Sequence, residues 1–335
     1  MLSERIDAYK NLEKNRASRL LVYVTSDRQG METSIANDVL SPFLKHLDLI
    51  GDVPKISLYL YTRGGNTLTA WSLVNLIRNF CDELEVIIPF HCHSAGTLIS
   101  LGANKIIMTK QATLGPIDPS VNGPLNPQIP GAPPHAKVPV SVEFVNAYLE
   151  MAKKELKITD QKALSNILIH LSDKIHPLTL GQVYRSNSQI KMLAKRLLKN
   201  HKLKTEKEDN IVNFLCSESG SHDYTIHRSE AGKELGLNIE KPDEELYNII
   251  KTIFEDIEQE LKLTEPYDPK VILGNSDNVS YEWRRALIET IDGGSHVYKS
   301  AGQLIKQSVP SAQGPPQTLI HDNRTLEGWQ YEPTS

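Results

Sequence analysis

An α/β fold built on a mainly parallel sheet is the architecture that this sequence predicts, and three observations carry it. Short β-favouring apolar runs recur at Leu20 to Thr25, Ile56 to Tyr61, Leu84 to Phe90 and Lys105 to Thr109. Segments with helical apolar spacing separate them: Ile35 to Leu49, Leu68 to Phe80 and the stretch that opens at Ser94. Strand and helix alternating at this pace require crossover connections, which are right-handed on a parallel sheet. The third observation is the chemistry of the turns. The second strand ends in Thr62-Arg63-Gly64-Gly65-Asn66 and the third in His91-Cys92-His93-Ser94-Ala95-Gly96. Ligand and catalytic sites of parallel sheets form at the carboxyl ends of the strands, so Gly64-Gly65 and Ser94 are expected at one edge.

Each element has its own signal. Residues 3 to 17 set Ile6, Tyr9 and Leu12 in a charged background, which predicts a short amphipathic helix within an N-terminal arm (residues 1–19) available for a partner. The main domain is expected over residues 20–264. Within it Val39, Leu40, Phe43, Leu44 and Leu47 mark one helix, and Trp71, Val74, Leu76 and Ile77 the next. From 111 to 140 prolines and glycines accumulate, which excludes long regular elements and predicts an extended functional or mobile loop. Ser141 is placed to cap a helix. Helical patterns run on to about Lys204, followed by a charged connector to Asn210. Glu244 to Leu263 predicts a long charged amphipathic helix. Val271 to Ile305 reads as β, folded into a hairpin at Asp292-Gly293-Gly294. A small β-containing appendage is therefore expected at residues 265–307. The remainder, 308–335, is rich in Pro, Gln and Thr and is expected to be a mobile tail.

Bulk properties narrow the function classes. The 335 residues suit one large or two modest domains, and a formal net charge of only −4 supplies no field for nucleic acid or an anionic membrane. Lys191, Lys195, Arg196, Lys199, Lys202 and Lys204 alternate with Leu193, Leu197 and Leu198, the pattern of a solvated helix face. Cys81, Cys92 and Cys216 have no paired spacing, which fits free thiols in a reducing compartment. Met1 to Arg19 lacks the apolar core of a signal peptide, and no run approaches the roughly 18 apolar residues of a membrane span. A soluble, cytoplasmic protein is the expectation.

Ser94 is the residue around which chemistry can be built. It stands where a strand turns into a helix, and the first amides of a helix have no internal partner and favour negative charge. A hydroxyl beside such donors suits acyl transfer: the hydroxyl attacks, and amides hold the developing oxyanion. Gly64 and Gly65 would allow a backbone amide to approach that oxyanion, and the Ala95 amide would be the other donor. The plainer readings are a tight turn at the glycines and close helix packing at the small residues. Adjacent side chains on an extended segment point opposite ways, so His93 would line the pocket rather than serve Ser94. His91, Cys92 and His93 find no further ligand at metal-site spacing, and neither metal nor cofactor is expected.

These same residues resemble the ClpP/crotonase superfamily of serine peptidases, and within it the serine dehydrogenase proteinase family, related to signal peptide peptidase A. The resemblance is carried by Thr62-Arg63-Gly64-Gly65, by Ser94-Ala95-Gly96-Thr97 with Gly102-Ala103-Asn104-Lys105-Ile106, and by Leu114-Gly115-Pro116-Ile117-Asp118-Pro119. His176-Pro177-Leu178-Thr179-Leu180-Gly181-Gln182 and the segment from Ser221 to Ala231 look like later motifs, so it spans roughly residues 18 to 240. It implies a spiral of β-α units, peptide-bond hydrolysis through an acyl-enzyme, a peptide or protein substrate, and assembly into rings or other homo-oligomers. Many relatives carry membrane segments, which this sequence does not show. ClpP also places a histidine downstream of its serine, where Ile117-Asp118-Pro119 stand here.

The base therefore stays open between two candidates. Lys137 follows the proline-rich loop, where signal peptide peptidase relatives carry the lysine of a Ser-Lys dyad. It would have to be buried and neutral to take a proton, and the other reading is a solvated loop lysine. Asp223 matches the acidic triad position of ClpP, and His222 beside it could serve as base or as a loop contact. His176, before Pro177, reads as a helix-start contact, and Asp118 as a turn residue. The leading function is a serine peptidase. The alternatives are a catalytically impaired pseudo-peptidase acting as a scaffold or partner-binding module, and acyl-coenzyme A chemistry on the same fold.

Overall fold

The structure, a computed structural model, describes residues 2–117, 120–133, 135–201, 203–218, 221, 223–309 and 317–333. Asp118 and His222 lie outside them. The chain divides into two compact units, Met1–Leu114 with Ile226–Ser335, and Gly115–Thr225.

In chain order the first unit begins with α1 (Leu2–Arg16), β1 (Arg19–Thr25), α2 (Leu40–Ile50), β2 (Val53–Tyr61), α3 (Thr67–Arg78) and β3 (Cys81–Ile88). It continues with β4 (His91–Cys92), α4 (Ala95–Leu101), β5 (Lys105–Met108) and β6 (Thr113–Leu114). The second unit contributes β7 (Ser120–Val121), β8 (Val140–Ser141), α5 (Val142–Glu150), α6 (Gln161–Ser172), α7 (Pro177–Leu198) and α8 (Thr205–Asn213). The chain returns to the first unit through β9 (Ile226–His227), α9 (Arg228–Lys233), β10 (Ile239–Glu240), α10 (Glu244–Leu261) and α11 (Pro269–Leu273). It closes with β11 (Asn278–Thr290), β12 (Gly294–Val309) and β13 (Gln317–Glu332).

One eight-stranded sheet organises the first unit in the order β10-β5-β3-β2-β1-β11-β12-β13. The pairs from β10 to β1 are parallel and those from β1 to β13 antiparallel. Apart from Arg19, every residue of β1 is buried, as expected of a central strand covered on both faces. Its alternation divides the core. Leu20, Val22 and Val24 join a cluster with Tyr9, Leu12, Ile250, Ile253 and Ile257 of α1 and α10, while Tyr23 sets its ring edge-on to Phe43 of α2 at 5.1 Å. The apolar stripe of α10 (Leu246, Ile250, Ile253, Phe254, Ile257, Leu261) has the 3–4 spacing of a helix packed on one side, and the Asp243 side chain caps it by accepting from the Leu246 amide. A small sheet of order β4-β6-β9 continues the first unit beside the serine turn.

The domain boundaries expected from the sequence differ from these. The N-terminal segment is not a free arm. Arg5 is 2% exposed and gives its guanidinium to Glu289 of β11 (2.7 and 2.9 Å), Glu260 of α10 (2.6 Å), Asp256 and the Tyr9 hydroxyl. Arg284 extends this network from Glu260 (2.6 Å) to Glu332 of β13 (2.7 Å). Nor do residues 265–307 form an appendage, because β11 pairs directly with β1 in the main sheet. The stretch from Val271 also starts as a helix, α11, capped by Asp268, and becomes strand only at Asn278. Of the expected mobile tail, 317–332 is a sheet strand in register with β12. Local composition is blind to that long-range pairing.

In the second unit Val121, Val140, Val142, Val145 and Val183 make a small core of their own. The proline-rich stretch is folded rather than extended. β7 pairs with β8, Gln128 bridges Lys137, and Asn126 ties the turn by donating to the carbonyls of Val121 and Val138. Ser141 caps α5 as expected, whereas the charged segment expected as a connector winds into α8.

Two stability predictions follow from the buried polar groups. Arg5→Ala leaves Glu289 and Glu260 buried without their cation, and should cost about 3–5 kcal/mol in denaturant unfolding, against near-neutral effects at exposed α1 positions such as Lys10. His46, buried on α2, bonds Thr290 (2.8 Å) through one ring nitrogen and His296 (2.9 Å) through the other. Burial and the His296 ring push its pKa from 6.5 down to about 3. The unfolded chain therefore takes up this proton first, and the stabilisation is complete above 6.5 and lost as pH falls towards 3. Thermal melts at about pH 7.5 and about pH 5 should show a loss on the order of 2 kcal/mol that His46→Leu largely removes.

Candidate active site

The site is built where β2 and β4 end side by side. A single parallel bridge joins Thr62 to Cys92: the Thr62 amide donates to the His91 carbonyl (2.9 Å) and the His93 amide to the Thr62 carbonyl (3.0 Å). One residue later the chain reverses direction. Ser94 takes φ +52° and ψ −114°, a backbone conformation that a residue with a side chain rarely adopts, and α4 begins at Ala95. This sharp, strained strand-to-helix corner is the geometry by which α/β hydrolases lift a serine hydroxyl out of the backbone. Ser94 is half-buried. Among the described residues of the first unit, no side chain or backbone group hydrogen-bonds its Oγ.

Gly64 is what allows the corner to sit there. With φ +114° it packs so closely that a Cβ on it would lie 2.7 Å from the Ser94 Cβ and 3.1 Å from its Oγ. Gly65, at φ +144°, runs against the backbone of Ile35 and would place a Cβ 2.3 Å from its carbonyl oxygen. Ile35 donates its amide to the Gly64 carbonyl (2.8 Å) and accepts from the Asn66 amide (2.7 Å), which holds the glycine pair straight. Asn66 then caps α3 by accepting from Thr69.

These bonds sort the amides. The Gly64 amide is committed to the Thr62 hydroxyl at 3.0 Å. Gly65 is exposed and its amide donates to no protein group among the described residues. The Ala95 amide, first of α4, has no intrahelical acceptor. Two uncommitted amides thus adjoin the serine corner in the chain, Ala95 directly after Ser94 and Gly65 directly after the glycine packed on it, and amides of this kind can bind the oxyanion of a tetrahedral intermediate. Of the two glycines singled out from the sequence, Gly65 is the one with a donor to offer and Gly64 the one that makes room.

His93 is tied away from this hydroxyl. Its Nε2 meets the Thr113 hydroxyl of β6 at 2.8 Å, and His91 reaches the same hydroxyl through Nδ1 at 3.2 Å. Burial, reinforced by the Arg63 guanidinium, pushes His91 down to about 4, so its imidazole is neutral around pH 7. Among the described residues no group of three or more His, Cys, Asp or Glu side chains could hold a metal ion. Of the proposed bases, Lys137 and Asp223 belong to the second unit. Lys137 is partly buried, and Asp223 is exposed in a turn where its amide meets the Ser221 hydroxyl. His176 caps α7 by accepting from the Leu178 amide, as its position before Pro177 suggests. Sequence reasoning missed Asp27 and Thr113. Asp27 could have been found as the acid at the carboxyl end of β1, next to the glycine turn. Nothing in the sequence singles out Thr113.

Comparison with known proteins places this geometry. A family model described as ClpP-like SDH-type serine proteinase matches residues 37–267. Two uncharacterized proteins of Methanocaldococcus jannaschii are similar. One is 30% identical over 205 residues, covering 61% of this chain and 60% of the relative. The other is 26% identical over 246 residues, covering 71% and 72%. The chain thus spans about three fifths of the first relative's length. Among solved structures, a variant of the 1510-N membrane-bound stomatin-specific protease matches at TM-score 0.37 and 15% identity, over 73% of this chain and 86% of that one. A variant of ClpP1 from Listeria monocytogenes matches at TM-score 0.36 and 13% identity, over 70% and 99%. Among the described residues no helix is long and apolar enough to cross a membrane. The family match contains the glycine turn, the serine corner and α4 entire, and the chain belongs to the ClpP-like SDH-type serine proteinases.

Proposed function

We propose that this chain hydrolyses peptide bonds through an acyl-enzyme on Ser94. One observation carries the reading: Ser94 is held at φ +52° on a strand-to-helix corner against Gly64, with no bond to its hydroxyl among the described residues. In the first step the Ser94 Oγ bonds to the scissile carbonyl carbon while its proton passes to a base. The carbonyl oxygen becomes an oxyanion held by the Gly65 and Ala95 amides. The C–N bond then breaks, the departing amine takes the proton, and an ester remains on Ser94. Water adds by the same route in reverse and releases the acid.

For the base we take Lys137, on the resemblance to enzymes with a Ser-Lys dyad. His222 with Asp223 is the competing assignment, and variants separate the two. Homo-oligomeric assembly and a peptide or protein substrate complete the proposal.

A fluorophosphonate probe should label the protein at Ser94, and Ser94→Ala should lower peptide turnover by about 1000-fold or more. Lys137→Ala should abolish labelling while His222→Ala leaves it in place; the opposite pattern moves the base to the histidine. A folded protein that resists the probe and cleaves no peptide would sink the acyl-enzyme in favour of a scaffold role. Gly64→Ala tests the corner itself. Its Cβ would overlap Ser94 and adopt a φ that alanine avoids, so we expect kcat to fall by at least about 100-fold with folding retained, read as single-turnover acylation. Acylation at the wild-type rate would show that the close approach is dispensable.

A further inference from the structure

We infer that Arg63 selects the substrate, by pairing with a carboxylate carried next to the scissile bond; this rests on Ser94 being the nucleophile. The side chain stands one peptide before Gly64, whose Cα is in contact range of Ser94. Around it Thr62, Gly64, Cys92 and Ala95 are buried, whereas the Arg63 side chain is 52% exposed. In the sequence it is the charged residue nearest to Gly65. Its head is also held in place. Nε donates to the Asp27 carboxylate at 2.9 Å, and Asp27, whose side chain is 17% exposed, sits at the carboxyl end of β1.

That single tether leaves a specific valence open. Bound through Nε, the guanidinium keeps the Nη1 and Nη2 donors, neither of which has a partner among the described residues. Two parallel N–H groups on one rigid plane match the two oxygens of a carboxylate. The same guanidinium also acts on His91, three residues before Ser94. The tether limits the rotamer entropy that an arginine would otherwise lose on binding. The ligand chemistry is therefore a carboxylate, either an Asp or Glu side chain beside the cleaved bond or the free carboxyl terminus of a peptide. Asp27 and the neighbouring Glu258 also face this corner, so a preference for basic residues is the competing outcome.

The test uses the full-length protein and fluorogenic peptides in matched sets: Glu, Gln or Lys at each position flanking the scissile bond, and free or amidated carboxyl termini. Wild-type kcat/KM should favour Glu over Gln at one flanking position, or the free terminus over the amide, by about 10-fold to 100-fold. Which of the two it is identifies the source of the carboxylate. Arg63→Gln should bring that ratio to near one, mainly through KM, and Arg63→Glu should turn it in favour of Lys. Arg63→Lys, which keeps the charge and loses the fork, should retain only part of the preference. Equal rates for Glu, Gln and both termini in the wild type would overturn the inference, as would a preference for Lys or one that survives Arg63→Gln. Failure of the acyl-enzyme reading is a different result: no fluorophosphonate label on wild-type Ser94 and no turnover of any peptide.

Discussion

Everything proposed for this protein depends on the backbone of one residue. Ser94 is held at a positive φ where the chain leaves β4 and enters α4 with only His93 and Ser94 between them. The Thr62–Cys92 bridge holds the incoming strand, the Gly96 amide closes onto the His93 carbonyl at 2.8 Å, and Gly64 occupies the space that any side chain would contest. Strain of this kind costs on the order of 1–3 kcal/mol and persists only where the surroundings over-determine it. Here it sets Ser94 at the corner between strand and helix, directly before the first amide of α4.

The rest of the first unit serves that rigidity. Strands β10 to β1 are parallel, and β2 and β3 are buried over their carboxyl-terminal halves, so they deliver those ends to one edge without freedom to slip. The antiparallel strands β11 to β13 extend the sheet on the other side of β1. Arg5, Glu289, Glu260, Arg284 and Glu332 link α1, α10, β11 and β13 through ion pairs that are buried or nearly so. Such a network is weak as a source of net stability, since desolvation offsets much of the attraction, but each member is costly to remove alone. It makes docking of α1 conditional on the C-terminal strands being in place.

The proposed machinery is divided between the two units. Ser94, Gly65, Ala95 and Arg63 belong to the first, while Lys137 and Asp223 fall in the second, which has its own valine core and a folded proline-rich turn. Within the first unit, the two histidines nearest the serine are committed to Thr113. That allocation explains why a search for a base in the immediate sequence neighbourhood of Ser94 ends without one.

Much of this was legible in the residues alone. The β-α alternation, the strand segments β1 to β3 and the position of Ser94 all follow from local patterns: continuous apolar runs for strands covered on both faces, 3.6-residue spacing for α3 and α10, and a serine among small residues at a strand end. The glycine pair was legible as a pair, but not which amide is free, because that depends on the Thr62 hydroxyl and on Ile35, twenty-nine residues upstream of Gly64. The failures share a cause. The N-terminal arm, the appendage and the mobile tail were all inferred from local composition. All three were reversed by contacts distant in sequence, such as Arg5 with Glu289 and β12 with β13. Periodicity records what each segment buries, and it therefore determined the strands, the helices and the serine corner. Pairing, ion-pair closure and the commitment of individual donors arise only when distant segments meet, and those the tertiary structure alone decided.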